Sequence, residues 1–188
     1  MQLQKRARTL DDRRGKQALS ACRNARERLI LSLSMYAGLR SVEIAGLKWG
    51  NVDASHLLLK TTKGKQPRNI PMSGALKSAL AEYRITRAGK DAPEDYVLVN
   101  TQAHPGEPLT PNAVAQWFRH FYVERLGWEG YSSHSGRRTF ATSIARNLGR
   151  VGGSIQDLRA LMGHEWITTT QRYIDENDAA QVDLINLL

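Results

Sequence analysis

Apolar positions recur along this chain at two spacings, and those spacings assign most of its elements. Leu10 to about Ala21 is heavily charged and only weakly helical in pattern. From Asn24 the helical period sharpens: Leu29, Ile30, Leu33, Tyr36 and Ala37 share a face, and Gly38 is a stop signal. A short helix is expected over Ser41 to Trp49, with Val42, Ile44 and Leu47 apolar. His56–Thr61 and Arg68–Met72 read as two strands around the lysine-rich turn KGKQP, the clear β signal of the first half. Ser73 caps a helix to about Arg87, with Leu76, Leu80 and Tyr83 on one face. Tyr96 to Asn100 is expected as a short buried strand. Thr110 and Pro111 open the next helix, a capping threonine followed by proline in the first turn. Its Val114, Trp117, Phe118, Phe121 and Tyr122 fall at core spacing, which reads as packing rather than base stacking. Ser133 or Ser135 caps a further helix through Asn147, and NLGRVGGS is expected as a flexible loop. Ser154 and Asp157 form a capping box ahead of IQDLRALM, which Gly163 ends, leaving His164 on a turn. Tyr173 falls late in a short helix after that. The pattern describes a mainly α domain with a small antiparallel β-sheet, an α+β fold.

Length and composition narrow the picture. The chain has 188 residues and 41% hydrophobic content, enough for one domain with a real core. Residues 1–9, with Lys5, Arg6 and Arg8, read as a basic arm or linker stub, residues 10–175 as the main domain, and 176–188 as a tail helix. In that tail Val182, Ile185 and Leu188 repeat at helical spacing and need a surface to bury against, in their own domain or on a neighbour. The 27 lysines and arginines exceed the 18 acidic residues, giving a net charge of +9. That balance favours a polyanionic partner, with nucleic acid first and an ordinary basic surface as the bland alternative. The single cysteine, Cys22, excludes an internal disulfide and fits a reducing cytosol. No segment resembles a signal peptide or a membrane span.

Three clusters carry candidate chemistry: Arg40 in YAGLRSVEIAGLKW, His134 with Arg137 in HSGRR, and His164 with Tyr173 in LMGHEWITTTQRYID. Each part alone is ordinary. Lone arginines are usually solvated, lone histidines structural, and late tyrosines packed. Together they suit a phosphodiester. Two arginines grip the nonbridging oxygens that gain charge in the transition state. Imidazoles accept a phenol proton or donate to the phosphate. A lysine on a hairpin protonates a departing alkoxide, and a tyrosine is the nucleophile. His134 and Arg137 also fall at a helix N-terminus, where backbone N–H groups favour an anion. No carboxylate cluster has metal-binding spacing, which argues against a two-metal nuclease; no metal or cofactor is expected.

The three clusters resemble the active-site boxes of the tyrosine recombinases, the phage integrase family, over about Leu10 to Asp175. GLRSVEI resembles the first box, which implies a catalytic Arg40 with Glu43 in support. KGKQPRNIP keeps the family's spacing from its hairpin lysine to the closing proline, Pro71, which implies Lys63 as general acid, with Lys65 as competitor. HSGR matches H-x-x-R and implies His134 and Arg137; LMGH implies His164; a nine-residue step then reaches Tyr173. Lys65, Arg68 and Arg138 are expected to contact DNA.

The resemblance implies a site-specific DNA recombinase, working without metal or ATP through a 3′-phosphotyrosyl intermediate. It further implies double-stranded DNA as partner, a monomer without DNA, and a homotetramer on paired sites. A C-terminal helix docked on a neighbouring protomer and a cytoplasmic, nucleoid-associated protein of bacterial or phage origin are implied as well. Most members carry an additional N-terminal domain that closes a clamp around DNA, for which this chain leaves no room, so it is expected to be either an excised catalytic domain or a naturally clampless member like the small fimbrial-switch invertases. A nicking-closing enzyme of the type IB topoisomerase kind shares the chemistry. A non-catalytic, integrase-derived DNA-binding regulator would be expected to have lost some of these residues.

Overall fold

In the computed structural model, residues 7–59, 67–87, 91–101, 106–164, 167–171 and 173 are described. The hairpin tip with Lys63 and Lys65, and the tail expected over 176–188, lie outside them.

The fold is built around a helix buried on all sides. After α1 (Asp12–Ser20), α2 runs Ala25–Ala37. The Asn24 side chain accepts the Glu27 N–H at 2.9 Å to start α2, and Gly38, in the left-handed region at φ 62°, ends it. The expected apolar stripe understates this helix. Leu31, Ser32, Ser34 and Met35 are buried along with Leu29, Ile30 and Leu33. A helix buried all round needs partners on opposite faces, and α2 packs on both α4 (Gly74–Ile85) and α6 (Ser135–Asn147).

The expected helix over 41–49 is cut short. The α3 helix spans Ser41–Ala45, and a 3₁₀ turn covers Trp49–Asn51. Beyond Gly46 the backbone turns to a distant partner: Val97 N–H donates to Leu47 O at 2.8 Å and Trp49 N–H to Asp95 O at 3.0 Å. The same contacts correct the strand expected over 96–100. Val97 and Leu98 are fully buried, but the segment makes only isolated bridges, Tyr96 with Lys48 and Val99 with Pro108. The hairpin strands are β1 (His56–Leu59) and β2 (Arg68–Pro71), antiparallel, with Leu57 opposite Ile70.

The aromatic stripe is core. After α5 (Pro111–Arg119) the helix widens into a π-helical turn over His120–Arg125. Phe118, Phe121 and Tyr122 are fully buried there, with Phe118 stacked on Tyr122 at 5.8 Å and Tyr122 on Trp128 at 6.2 Å. The segment expected as a flexible loop holds a 3₁₀ turn, Leu148–Val151, before the α7 helix, Ile155–Met162. Ser154 and Asp157 close the expected capping box, with Ser154 N–H donating to Asp157 at 2.7 Å. The short α8 helix, Ile167–Gln171, follows. Ala141, Leu158 and Met162 form a second, smaller cluster, flanked by Phe140, Ile144 and Tyr173.

The start of the described chain belongs to this body. Arg8 N–H donates to Gly130 O at 2.9 Å, Leu10 N–H to Thr139 Oγ1 at 2.8 Å, and Arg138 Nη1 to Ala7 O at 2.8 Å. Of the expected arm, Ala7 is therefore tied to α6 and Arg8 to the segment just before it.

Candidate active site

The close crossing of α2 and α6 brings the first two boxes together. Two glycines permit it. A Cβ on Gly136 would lie 2.4 Å from Ser34 Oγ, and one on Gly38 would lie 2.5 Å from Phe140 Cδ1. No larger residue fits either place without displacing a neighbour. With α6 this close, Arg137 reaches across and its Nη1 donates to Gly38 O.

Arg40 sits at the N-cap of α3, where Glu43 folds back on it. Arg40 N–H donates to Glu43 Oε2 at 2.7 Å and Arg40 Nη1 to Glu43 Oε1 at 3.0 Å. The same carboxylate accepts from Arg68 Nη2 and lies 4.0 Å from Arg137 Nη1. Three guanidiniums thus share one carboxylate, and the cluster retains positive charge. The side chains of Arg68 and Arg137 are only 4% and 6% exposed, whereas Arg40 is 35% exposed and is the cation nearest solvent. Burial, then the charges of Arg40 and Arg68, push the Arg137 pKa down to about 9, so it is still cationic at neutral pH. A partly desolvated surplus of positive charge is relieved by an incoming anion.

His164 follows Gly163, which ends α7 in the left-handed region at φ 58°. Arg137 Nη2 donates to Met162 O at 2.6 Å and lies 3.3 Å from His164 Nε2. A guanidinium only donates, so Nε2 is the acceptor and the ring proton is on Nδ1, facing Thr170 Oγ1 at 3.0 Å. Burial first, then Arg137, Arg40 and Arg68, lower the His164 pKa to about 4. The imidazole is neutral at pH 7. Tyr173 lies in the turn beyond α8, its ring stacked on His164 at 6.0 Å and 13°.

Arg40, Glu43, Arg137, His164 and Tyr173 therefore form one connected group. His134 occupies the N-cap of α6 and is exposed. It takes the place expected for a capping serine, because Ser135 Oγ instead accepts the Ser132 N–H at 3.0 Å. Lys63 and Lys65 lie outside the described residues.

Arg68 corrects an expectation. Expected on a DNA-contacting surface, it is buried beneath the site, its Nη1 donating to Leu161 O at 2.8 Å. Strand alternation held the signal: Arg68 and the fully buried Ile70 are two residues apart and share the inward face. Arg138, also expected on DNA, is half-buried and spends Nη1 on Ala7 O. Thr170, fully buried against His164, was not singled out from the sequence.

A cleft of about 860 Å³ opens beside Arg40, lined by Val42, Lys48, Asn51 and Glu94 among others. Among the described residues, no group of His, Cys, Asp or Glu could hold a metal ion. No helix among them is long and apolar enough to cross a membrane.

The chain is similar to known proteins. A tyrosine recombinase of Pseudothermotoga lettingae is 32% identical over 168 residues, covering 88% of this chain and 55% of the relative. Transposase A from transposon Tn554 of Staphylococcus aureus is 30% identical over 181 residues, covering 88% and 48%. The chain spans about half the length of the curated relatives it matches. Among solved structures, XerA recombinase superposes with a TM-score of 0.78 at 27% identity, over 97% of this chain and 65% of that one. The Tn1549 transposon integrase, solved with a circular intermediate DNA, shares the fold with a TM-score of 0.77 at 20% identity, over 98% and 67%. Residues 8–180, nearly the whole chain and all of the site just described, match the Phage integrase family, to which this protein belongs.

Proposed function

We propose that this protein is a site-specific DNA recombinase that cuts and rejoins DNA through a tyrosyl phosphodiester. The observation that carries this reading is the positive surplus around Glu43, set beside a tyrosine stacked on a neutral histidine. A phosphodiester supplies the missing negative charge, and the phenol stands next to it.

In this mechanism the Tyr173 oxygen attacks the phosphorus. A 3′-phosphotyrosyl bond forms as the bond to the 5′ oxygen breaks. Arg40 and Arg137 bind the nonbridging oxygens, whose charge grows in the transition state. His134 takes the phenol proton, and Lys63, with Lys65 as the alternative, gives a proton to the departing 5′ oxygen. His164 has a role its electrostatics support. Burial first, then the neighbouring cations, keep the ring neutral; the charge of an arriving phosphate offsets the cations and favours a proton on Nε2 for donation to the phosphate. Attack by a 5′ hydroxyl from another strand reverses these steps and conserves the bond energy, so neither metal nor ATP enters.

Double-stranded DNA is the proposed substrate, with four protomers on paired sites and the tail helix docked on a neighbour. The net charge of +9 predicts salt-sensitive binding, log K falling by roughly 0.9 per neutralised phosphate. The family and the basic charge support a cytoplasmic protein that associates with the nucleoid.

The test is to trap the covalent adduct on nicked DNA flanking the encoding gene, with chelator present. Wild type should give a denaturation-resistant protein–DNA band that Tyr173→Phe lacks. A band that persists in Tyr173→Phe would refute the nucleophile. Plasmid relaxation without strand exchange would favour the nicking-closing alternative.

A further inference from the structure

Arg68 lies where three parts of the site meet, yet it is too deeply buried to meet DNA. It opens β2, directly after the segment of sequence that carries Lys63 and Lys65. Its Nη2 donates to the Glu43 carboxylate of the first box. Its Nη1 donates at 2.8 Å to the carbonyl of Leu161, in the last turn of α7, just ahead of the histidine box. The helix end is fitted to it: a Cβ on Gly163 would lie 2.9 Å from Arg68 Cδ. A surface contact to DNA asks for an exposed guanidinium. This one is 4% exposed, and its cost of burial is offset by the two acceptors it joins.

We propose that Arg68 is a positioning residue that fixes the Glu43 carboxylate and the end of α7 relative to each other, and so holds Arg40, Arg137 and His164 in one arrangement. Glu43 orients Arg40 through two bonds and lies 4.0 Å from Arg137. Without Arg68, that carboxylate is free to turn further onto Arg40 or Arg137 and draw them out of the alignment the transition state needs. The Leu161 carbonyl loses its side-chain tie, and the turn that presents His164 loses its lateral support. A fork-shaped donor is needed, because one lysine ammonium is a point charge that does not reproduce two diverging hydrogen bonds in a plane. This inference rests on the recombinase reading for its effect on catalysis, but the structural link itself does not.

Two measurements separate the two. The first needs no DNA: amide hydrogen exchange in wild type, Arg68→Met and Arg68→Lys. Exchange at Gly163 and His164 should quicken about tenfold or more in both variants, with α4 unchanged. Unchanged exchange at Gly163 and His164, or equal acceleration throughout the chain, would overturn the proposal. The lysine variant keeps the charge and serves if the methionine variant does not fold. The second is single-turnover formation of the Tyr173 adduct at saturating DNA. Arg68→Lys should slow it about 100-fold, the scale of a misplaced catalytic group, while DNA affinity stays within about twofold. Combined with Glu43→Gln, the losses should not multiply, because both act through one carboxylate. Multiplying losses, or a loss confined to affinity, would overturn it. Absence of a Tyr173 adduct in wild type would refute the recombinase reading, and hydrogen exchange would still decide the position of Arg68.

Discussion

Arg40 and Glu43 follow a helix, α2, that is enclosed on all faces by α4, α6 and the rest of the main core. Among the described residues, His164 and Tyr173 rest on a far smaller base, in which Ala141, Leu158 and Met162 are the fully buried members. Both regions meet at Arg137, which bonds Gly38 on one side and Met162 on the other. The contrast teaches where rigidity is placed. The half proposed to bind the anion is stabilised together with the whole domain. The half that carries Tyr173, the proposed nucleophile, has few buried contacts among the described residues, which predicts that it opens locally without unfolding the rest.

Cavity mutants break this comparison most sharply. Phe118→Ala, in the main core, should cost about 3–5 kcal/mol, read as a lowered denaturant midpoint, yet leave adduct formation near wild type while the protein stays folded. Leu158→Ala, in the small cluster, should cost about 2 kcal/mol but slow adduct formation at least about tenfold, because His164 and Tyr173 lose their floor. Equal effects of the two on the adduct would mean that the small cluster does not position the nucleophile.

Much of this site was legible because its parts are local. The caps at Ser73 and Thr110, the stop at Gly38 and the Ser154–Asp157 box are each written in a few consecutive residues, and the structure keeps each. The boxes around Arg40, Arg137 and His164 are short strings as well. What escaped was non-local. The backbone of residues 47–49 leaves its helix to pair with residues 95–97, and nothing near position 47 announces that partner. Three consecutive threonines precede Gln171, and only the tertiary fold selects Thr170 to face His164. Arg68 differs again: its charge suggests a surface position, whereas its strand period with Ile70 places it on the inward face.

A smaller effect sharpens the comparison at Thr170. Thr170→Val keeps the shape but removes the acceptor for His164 Nδ1–H, and the adduct should form about tenfold more slowly, one hydrogen bond's worth. Thr170→Ser should retain the rate. Loss of activity in the serine variant would assign Thr170 to packing instead.

The gentlest probe is acidification. His164 has a folded pKa of about 4 against an ordinary 6.5, so between those values the unfolded chain binds the extra proton. Stability from this group is complete above about pH 6.5 and declines as pH falls towards 4. The melting temperature of wild type should therefore fall more steeply over that window than that of His164→Gln. Parallel curves would show that the imidazole is not held neutral.

The stitching of residues 7–10 to α6 bears on how this domain is handled at the bench. Ala7 and Leu10 are tied to Arg138 and Thr139, the two residues that follow Arg137 along the helix. A cloning boundary drawn at Asp11, the cap of the first helix, would cut those ties and loosen the helix that carries two of the candidate catalytic groups. Tags, fluorophores or grafted DNA-targeting modules belong ahead of Ala7, and any rigid module joined there would be leashed to the α6 side of the domain.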